Sequence, residues 1–555
     1  MNTKEIIQDL VSGSIDAAVK DGRLPSASYP VVKIEYPKDP AFGDYSCPVA
    51  LESARVLKRS PLDIGSVLGE YIEKNDIIDR VEIAKPGFIN MFISYDYLFS
   101  NLLTVIDQGK MYGTRTSDNP RKINIEFVSA NPTGPMNIVS ARAAAIGDTL
   151  ANLLEATGDH VDREFYINDY GNQVAMLGRS VLERIKELHG GECSIPEDGY
   201  HGEYVRDIAE YIDSEFSGDL ESLDSEEERI DFASRMAVEY NVSRQKKDLE
   251  DFNVNFRTWF SERTLHENGD VEKTFEFLDK QDVVYEQEGK RFFRSTDYSD
   301  DKDRVIIRDD GRPTYLLADI AYHMNKINRG YDELIDIWGP DHHGYIARLT
   351  GAVRALGYPE DHFRIIIAQQ VNLLMEGETV KMSKRLGRFS TMRELIDEIG
   401  VDVARYFFIM RSLDSHLDFD LSLAKKESSE NPVFYLQYAH ARICSIFTEA
   451  AKRGYSYEPV RDINRELDSP EAITLLKLLL KYPEDVAETA GALEPHRITT
   501  FLMRLAQSFH RFYTEHRVLT EDTDRAFTLM TLADAVRTVM KNGLNLIGVT
   551  APERM

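Results

Sequence analysis

The sequence predicts an α/β multidomain protein, in which a doubly wound parallel-sheet (Rossmann-like) domain lies between an α+β N-terminal domain and a C-terminal α-helical bundle. Between residues 123 and 154, a strand, a tight loop and a helix follow one another, and this order opens a doubly wound sheet. Residues 334–338 and 363–368 have the apolar composition of further buried strands. After residue 420, apolar residues recur every three or four positions, which indicates helices.

Length and composition restrict the class of protein. With 555 residues, the chain is long enough for three or four domains. Its 42% hydrophobic and 29% charged residues exclude collagen-like and wholly disordered chains. No window approaches about 18 consecutive apolar residues, and no basic region precedes an apolar run at the N-terminus. We therefore expect no membrane span, no secretory signal and a cytoplasmic location.

The charge is unevenly distributed along the chain. The formal net charge is -28, so the protein as a whole should repel nucleic acid. Residues 421–555 hold 17 Lys+Arg and 18 Asp+Glu, a net charge of -1, so the other residues carry -27. Residues 207–231 alone hold eleven acids and one base, which is typical of a solvated helix face or an insertion. The nearly neutral C-terminal part can therefore present basic patches to phosphate.

Three regions with different sequence patterns suggest the domains. Residues 1–98 begin with a helical pattern and contain short strands, for which we predict residues 31–36 and 87–93. Residues 99–420 alternate strands and helices, with an insertion around 175–300 that includes the acidic run. Residues 421–555 are predicted to be a helical bundle.

The first strand of the middle domain leads into a loop suited to phosphate. Ile123, Ile125 and Phe127 alternate with polar residues, which is the period of a strand. The loop 129–135 is rich in residues that break regular structure, and the helix 141–154 follows it. Ligands of doubly wound sheets bind outside the carboxyl ends of the strands, where the N-terminus of a helix also favours anions.

Two later loops carry polar residues at or after strand ends. The first, Gly339–Gly344, follows the strand 334–338 and contains two adjacent histidines. The second, Lys381–Arg385, offers two ammonium groups, a hydroxyl and a guanidinium within five residues. A mobile basic loop can clamp a triphosphate and stabilise departing pyrophosphate, but composition alone favours a solvated basic turn.

A metal centre is not predicted. Neighbouring side chains such as His342 and His343 point in different directions, and no other cluster of metal ligands accompanies them. The three cysteines, Cys47, Cys193 and Cys444, lie too far apart for a disulfide scaffold or a four-cysteine site. We expect reduced, structural thiols.

Several motifs, in one order along the chain, resemble arginyl-tRNA synthetases, a family of class I aminoacyl-tRNA synthetases. They are Pro40–Ser46, Lys85–Asn90, Glu126–Pro135, Tyr166–Gln173, Gly339–Gly344, Lys381–Arg385, Asp402–Phe408, Leu417–Asp420, Asn431–Arg442 and Ala551–Met555. The basic loop agrees fully with the Lys-Met-Ser-Lys-Arg loop of that class. The resemblance covers nearly the whole chain.

The resemblance implies an arginine–tRNA ligase. Such an enzyme activates L-arginine with ATP, accompanied by Mg²⁺, to arginyl-adenylate and transfers the arginyl group to the terminal adenosine of tRNA(Arg). It also implies a monomer, an additional N-terminal domain that contacts the outer corner of the tRNA, and an anticodon-binding bundle. The bundle offers aromatic and basic candidates for stacking on single-stranded bases, most of which we expect in the core: Tyr435, Tyr438, Arg442, Phe509, Arg511, Phe512 and Tyr513.

The family's site residues can be placed on matching positions. For ATP the resemblance implies Pro132, Thr133, Gly134, Pro135, Asn137, Val139, Ser140, Asp341, His342, His343, Lys381, Lys384 and Arg385. For arginine it implies Glu126, Ser129, Asn131, Tyr315 and Asp319. The catalytic positions are Asn137, Ser140, Lys381, Ser383 and Lys384. Tyr315 and Asp319 are four residues apart on a predicted helix, so they share a face, and a carboxylate is the natural partner of a guanidinium.

The chain departs from the family at its first signature. Where the family has His-x-Gly-His, this sequence reads Asn137-Ile138-Val139-Ser140. Asn137 and Ser140 can donate hydrogen bonds but carry no charge, and Val139 adds a branched side chain where adenine should stack. Two hypotheses follow: an active enzyme with neutral donors, which we favour because the other motifs are intact, or a catalytically inactive relative that binds tRNA without charging it.

Overall fold

In the computed structural model of the chain, the described residues are 2–72, 75–376, 378–380, 391–462 and 465–555. The N-terminal domain packs three helices against a small antiparallel sheet. In chain order its elements are α1 Thr3–Lys20, β1 Tyr45–Cys47, α2 Val49–Leu57, α3 Pro61–Ile72, β2 Ile78–Ala84 and β3 Phe88–Ile93. The sheet order is β1–β3–β2. Helix α1 begins at a capping box, in which Asn2 and Glu5 each accept a backbone N–H of the other.

One strand prediction in this domain is wrong. Residues 31–36 form no strand, and only Glu35 makes an isolated bridge, to Ser46. Alternate residues of the segment, Val32 and Ile34, are buried, which explains the apolar period. Pro30 and Pro37 flank the segment and offer no N–H groups for a ladder. The other predicted strand, 87–93, is confirmed as β3.

The middle of the chain contains eleven strands and eleven helices among its described residues. The strands are β4 Lys122–Glu126, β5 His160–Ile167, β6 Thr258–Ser261, β7 Val284–Gln287, β8 Lys290–Phe293, β9 Arg304–Ile307, β10 Glu333–Trp338, β11 Phe363–Ile367, β12 Val371–Met375, β13 Glu378–Val380 and β14 Leu417–Asp420. The domain is entered by α4 Tyr95–Gln108 and continues with α5 Ile138–Ala156, α6 Asn172–Leu188, α7 Glu203–Glu221, α8 Glu226–Asp251, α9 Glu262–Glu267, α10 Asp270–Lys280, α11 Tyr315–Asn328, α12 Ile346–Ala355, α13 Met392–Ile399 and α14 Val401–Ile409.

The predicted doubly wound sheet is confirmed. Its order is β11–β10–β4–β5–β6, and every pairing is parallel. From the central strand β4 the chain continues to β5 on one side, and β10 pairs on the other side. The strand order therefore reverses at β4, and the crevice at its carboxyl end is the expected binding site. Small three-stranded sheets, β7–β8–β9 and β13–β12–β14, flank this core.

Helices α6, α7 and α8 pack around a hydrophobic core of their own. The acidic run, residues 207–231, covers most of α7 and the start of α8, and its acids lie mainly on exposed positions. Glu226, Glu227 and Glu228 occupy the first turn of α8, where the helix dipole favours negative charge. The run is thus a solvated helical surface.

After the short helix α15 Leu421–Ala424, the predicted C-terminal bundle is confirmed. Its helices are α16 Pro432–Lys452, α17 Pro470–Ala492, α18 His496–Glu515 and α19 Thr523–Leu546. The fully buried Arg405 on α14 fixes the end of this bundle to the catalytic core. Its guanidinium donates to the Ile547 carbonyl at 2.9 Å and to Asp148 on α5 at 2.6 Å. No helix among the described residues is long and apolar enough to cross a membrane.

Helix α17 also holds the N-terminal domain. Pro483 lies inside this helix, so the Leu479 carbonyl lacks its usual N–H partner. The hydroxyl of Tyr112, between α4 and β4, donates to that carbonyl at 2.8 Å. The buried Glu484 accepts from the Lys4 backbone N–H at 2.7 Å and from the Tyr45 hydroxyl at 2.9 Å. The bundle is therefore joined to both other domains.

Candidate functional site

A buried network of charges lies at the carboxyl ends of β4 and β10. Lys326 on α11 is fully buried, and its Nζ lies 2.5 Å from Glu126 Oε2 and 2.8 Å from Asp336 Oδ1. His323, one turn earlier on α11, places Nε2 3.0 Å from Asp336 Oδ2. One lysine therefore faces two buried carboxylates, and His323 contacts the second of them.

The ionisation of this network follows from burial and pairing. Burial raises the pKa of Glu126 above its ordinary value, and the Lys326 ammonium offsets only part of that effect. Burial also acts on Asp336, but Lys326 and His323 lower the pKa of that carboxyl to about 2. Burial alone would lower the pKa of Lys326, yet Asp336 and Glu126 raise it above its ordinary value. Lys326 is therefore a permanent internal counter-ion.

The turn after β4 is strained. Val128 and Ser129 have φ values of +70° and +38°, which a branched residue such as valine rarely adopts. The Ser129 hydroxyl donates to Glu126 Oε1 at 2.9 Å and accepts the Tyr166 backbone N–H at 3.1 Å. Such strain persists only where the surrounding contacts impose it. Here the contacts hold the Glu126 carboxylate between the Ser129 hydroxyl and the Lys326 ammonium.

A further carboxylate, that of Asp319, lies beyond this turn. Asp319 on α11 is half-buried, and the Tyr345 hydroxyl donates to its Oδ2. Burial, together with the nearby carboxylates Glu262 and Glu126, raises the pKa of Asp319 to about 6. The hydrogen bond from Tyr345 acts in the opposite direction. Tyr315, on the same face of α11, is 62% exposed at the rim.

Sequence reasoning missed Glu262. This residue begins α9, is 4% exposed and bonds the Tyr166 hydroxyl. Its carboxylate raises the pKa of Asp319, so the two carboxylates lie near each other. Glu262 directly follows strand β6 of the central sheet, which is the strand-end pattern used for the other candidates. That signal was available in the sequence, but β6 itself is short.

A cleft of about 980 Å³ opens beside Glu262 and Tyr315. Tyr170 on its wall is 43% exposed and stacks on His266 with 4.0 Å between the ring centroids. Arg179 and Arg308 also line the cleft. Exposed aromatic rings beside arginines are the features that bind single-stranded nucleic acid.

The altered signature forms the N-terminus of α5. Asn137 is the N-cap, and its Oδ1 accepts from the Ser140 backbone N–H at 2.9 Å and from the Ser140 hydroxyl at 3.2 Å. The cap thus engages the Ser140 hydroxyl and leaves the Asn137 amide NH₂ as the side-chain donor. Val139 is half-buried.

A second cavity, of about 420 Å³, lies over this helix end. The predicted ATP residues Thr133, Gly134, Pro135, Asn137 and Ser140 line it, as does the arginine candidate Asn131. Pro132 and Val139 are not among the lining residues. Pro132 is buried and turned toward α8, which explains its separation from the cavity.

Two amides on α8 hold the loop before α5. Asn241 Nδ2 donates to the Pro132 carbonyl at 2.8 Å, and Gln245 Nε2 donates to the carbonyls of Asn131 and Gly134 at 3.2 and 3.1 Å. Both amides are buried. They lie more than 100 residues away along the chain, and no motif marked them.

The remaining predicted ATP residues divide into two groups. Asp341, His342 and His343 lie, exposed, on a short 3₁₀ helix after β10, at the same edge of the sheet. Lys381, Ser383, Lys384 and Arg385 lie outside the described residues. Past that loop, Thr391 bridges to Asn137, and the Met392 N–H donates to the Met136 carbonyl at 2.9 Å. Across the described ranges, no group of three or more His, Cys, Asp or Glu side chains is arranged for a metal ion.

On the bundle, the aromatic candidates separate into core and surface. Phe509 and Phe512 are fully buried. Tyr438 is 37% exposed, and the Arg442 guanidinium lies 4.7 Å from its ring centroid. His510 stacks near Tyr438 at 6.2 Å. This exposed pair on α16 is a stacking surface with a fixed positive charge.

Comparison with known proteins covers all three regions. Family models match residues 5–93 (arginyl tRNA synthetase N terminal domain), 101–410 (tRNA synthetases class I (R), catalytic domain) and 436–555 (DALR anticodon binding domain). The chain is 47% identical over 581 residues to an arginine–tRNA ligase of Leptospira interrogans, covering 100% of this chain and 98% of that protein. It is 44% identical over 559 residues to the arginine–tRNA ligase of Bacillus subtilis, covering 100% of both. Thermus thermophilus arginyl-tRNA synthetase has the same fold, with a TM-score of 0.74, 18% identity and full coverage of both chains.

Proposed function

Because this chain belongs to the arginyl-tRNA synthetase family and is an arginine–tRNA ligase, we propose that the crevice at the carboxyl ends of β4 and β10 is where it activates arginine with ATP. The arginine carboxylate attacks the α-phosphorus of ATP, and pyrophosphate leaves. A hydroxyl of the terminal adenosine of tRNA(Arg) then attacks the activated carbonyl, and AMP leaves. The altered first signature is part of an active enzyme in this proposal.

The arrangement of carboxylates is the observation that carries this proposal. Arginine has two cationic ends, an α-ammonium and a guanidinium. The buried carboxylates of Glu126 and Asp336, which Lys326 holds in place, support binding of the ammonium, together with Ser129 and Asn131. The pocket of Asp319 and Glu262 supports binding of the guanidinium, whose five N–H donors pair best with carboxylates. Tyr315 at the rim can close over the side chain.

ATP is assigned to the cavity over the N-terminus of α5. The free N–H groups and dipole of that helix favour phosphate, and the Asn137 amide adds a neutral donor. Lys381, Lys384 and Arg385 supply positive charge, and Ser383 a hydroxyl, in the family's basic loop. Thr391, the first described residue after that loop, bridges to Asn137. Asp341, His342 and His343 are assigned to the nucleoside end, and Mg²⁺ enters with ATP as part of the substrate.

The tRNA is assigned to two surfaces besides the N-terminal domain. The cleft with Tyr170 and Arg179 lies beside the guanidinium pocket and suits the single-stranded 3′ end. Tyr438 and Arg442 on the bundle suit an unstacked base of the anticodon. A monomeric state and a cytoplasmic location complete the proposal.

The pH dependence of arginine use follows from Asp319. With a pKa of about 6, this carboxyl is ionised at pH 7.5 and takes up a proton below pH 6. Neutral Asp319 cannot pair with a guanidinium, and arginine itself does not change its guanidinium charge in this range. We expect kcat/KM for arginine to fall about tenfold per pH unit below about pH 6. A flat profile from pH 7.5 to 5 would contradict the assigned role.

The direct experiment is charging of tRNA(Arg) with radiolabelled arginine, with and without ATP. We expect ATP-dependent charging that falls about 1,000-fold in Lys384→Ala and a smaller loss, about tenfold, in Asn137→Ala, since each removes a donor at the developing phosphate charge. Lys302→Ala, an exposed lysine away from the crevice, is the control. Folded protein that binds tRNA(Arg) but transfers no arginine would instead establish an inactive relative.

A further inference from the structure

A third pocket lies between the bundle and the segment that joins α4 to β4. It has a volume of about 320 Å³. Its walls come from residues 109–110 of that segment, from α16, from α19 and from the C-terminal tail. It shares no residue with the cleft beside Tyr315 or with the cavity over α5. No role in the reaction accounts for it.

The walls of this pocket are positively charged. Lys110, Arg537 and Lys541 line it, and Glu553 is the acid among its described lining residues. Arg537 pairs with Asp534 at 2.6 Å on one side. Within the described ranges, no carboxylate lies within 4.0 Å of the Nζ atom of Lys110 or Lys541. In a chain of net charge -28, three cations around one small pocket are an unusual local excess.

A buried histidine completes the wall. His440 is 1% exposed, and its Nδ1 lies 2.8 Å from the Pro552 carbonyl, to which it donates. Its Nε2 has no hydrogen-bond partner among the described residues. Burial lowers the pKa of His440, and Arg537 and Lys541 lower it further, so both cations act on this ring. Buried polar atoms are normally paired, and an occupant of the pocket can supply the missing partner.

We propose that this pocket binds a phosphate group through Lys110, Arg537 and Lys541. Phosphate has the charge and the acceptor oxygens that two ammonium groups and a guanidinium bind. A hydroxyl beside the phosphate, such as that of ribose, can donate to His440 Nε2. The phosphate comes either from the backbone of bound RNA or from a free phosphate compound. The RNA source rests on the proposed tRNA binding, whereas the free source does not.

Surface lysines allow a test without disturbing the core. Lys110 and Lys541 are exposed, so Lys110→Gln/Lys541→Gln should fold normally. The control is Lys280→Gln/Lys302→Gln, which removes the same charge from exposed positions on the catalytic domain. Glu553→Gln removes the acid from the pocket and is the variant expected to bind more tightly.

The first measurement is the Kd for tRNA(Arg) as a function of salt. For a backbone phosphate, the pocket variant should bind roughly fivefold more weakly, and its slope of log K against log salt should fall by about 1. The control should match the wild type, and Glu553→Gln should bind more tightly.

The second measurement is the Tm with and without about 10 mM inorganic phosphate, a concentration suited to weak binding sites, at constant ionic strength. For a free phosphate, the Tm of the wild type should rise and that of the pocket variant should not.

Either result supports the phosphate site and identifies its source. If the pocket variant equals the control in both measurements, the proposal is overturned. Charging of tRNA(Arg) by the wild-type protein decides the proposed function separately, so the two failures can be told apart.

Discussion

Asp319→Asn is expected to abolish useful charging with arginine. The substitution leaves the side-chain shape but removes the negative charge that faces the guanidinium. Breaking one member of a buried, hydrogen-bonded charge pair costs about 4 kcal/mol, which corresponds to close to a thousandfold. We expect kcat/KM for arginine to fall by that factor, whereas binding of tRNA(Arg) should not change. Steady-state charging with varied arginine is the measurement.

Two comparisons sharpen this result. Tyr345→Phe removes the hydroxyl that donates to Asp319 but keeps the charge, so a loss of about tenfold is expected from one hydrogen bond to a charged group. Asp361→Asn removes an aspartate whose side chain is 87% exposed and should behave as the wild type. If Asp319→Asn charged arginine within tenfold of the wild type, the guanidinium pocket would have to lie elsewhere.

Lys326→Met is expected to destabilise the catalytic domain and to remove arginine binding. The change leaves Glu126 and Asp336 buried and facing each other without a cation. Removing one partner from a buried ionic network costs about 4 kcal/mol, which lowers the Tm of a domain of this size by roughly 10 °C. Thermal unfolding followed by circular dichroism, and arginine binding by calorimetry, are the measurements.

The loss of stability in Lys326→Met should depend on pH in one direction. Without Lys326, burial should raise the folded-state pKa of Glu126 still further above its unfolded value, because the ammonium no longer offsets that effect. Such groups contribute stability below the unfolded pKa, and the contribution is lost as the pH rises through the folded pKa. The deficit in Tm should therefore be smaller at pH 5.5 than at pH 8. A Tm deficit that grows in acid would contradict the counter-ion role. An equal Tm deficit in the exposed control Lys280→Met would contradict it as well.

The altered first signature keeps the N-terminus of α5 capped. Asn137 caps α5 and Ser140 completes the cap, so the helix end is kept intact by the same two residues that replace the histidines. A helix N-terminus with full caps still presents free N–H groups to phosphate. We therefore expect the neutral signature to be compatible with activity, and the loss of Asp319 or Lys326 not to be.

Local sequence patterns were enough to predict the central strand–loop–helix unit and the C-terminal helical bundle. These features depend on local patterns, since the period of apolar residues and the loop composition act within a few residues of one another. The same reasoning failed at residues 31–36, where the apolar period was correct but flanking prolines prevented a ladder. The family motifs also indicated Glu126 and Asp319, although their assigned roles stay predictions.

How those residues are charged and held depends on tertiary packing, which sequence patterns do not show. Lys326 is 200 residues from Glu126 along the chain, and it meets that carboxylate because α11 packs over the carboxyl ends of β4 and β10. Glu262 comes near Asp319 because β6 pairs with β5, and Gln245 reaches the loop before α5 from α8. A buried polar group must find its partner wherever the packing places one, and sheet order and helix docking, rather than sequence spacing, determine that partner.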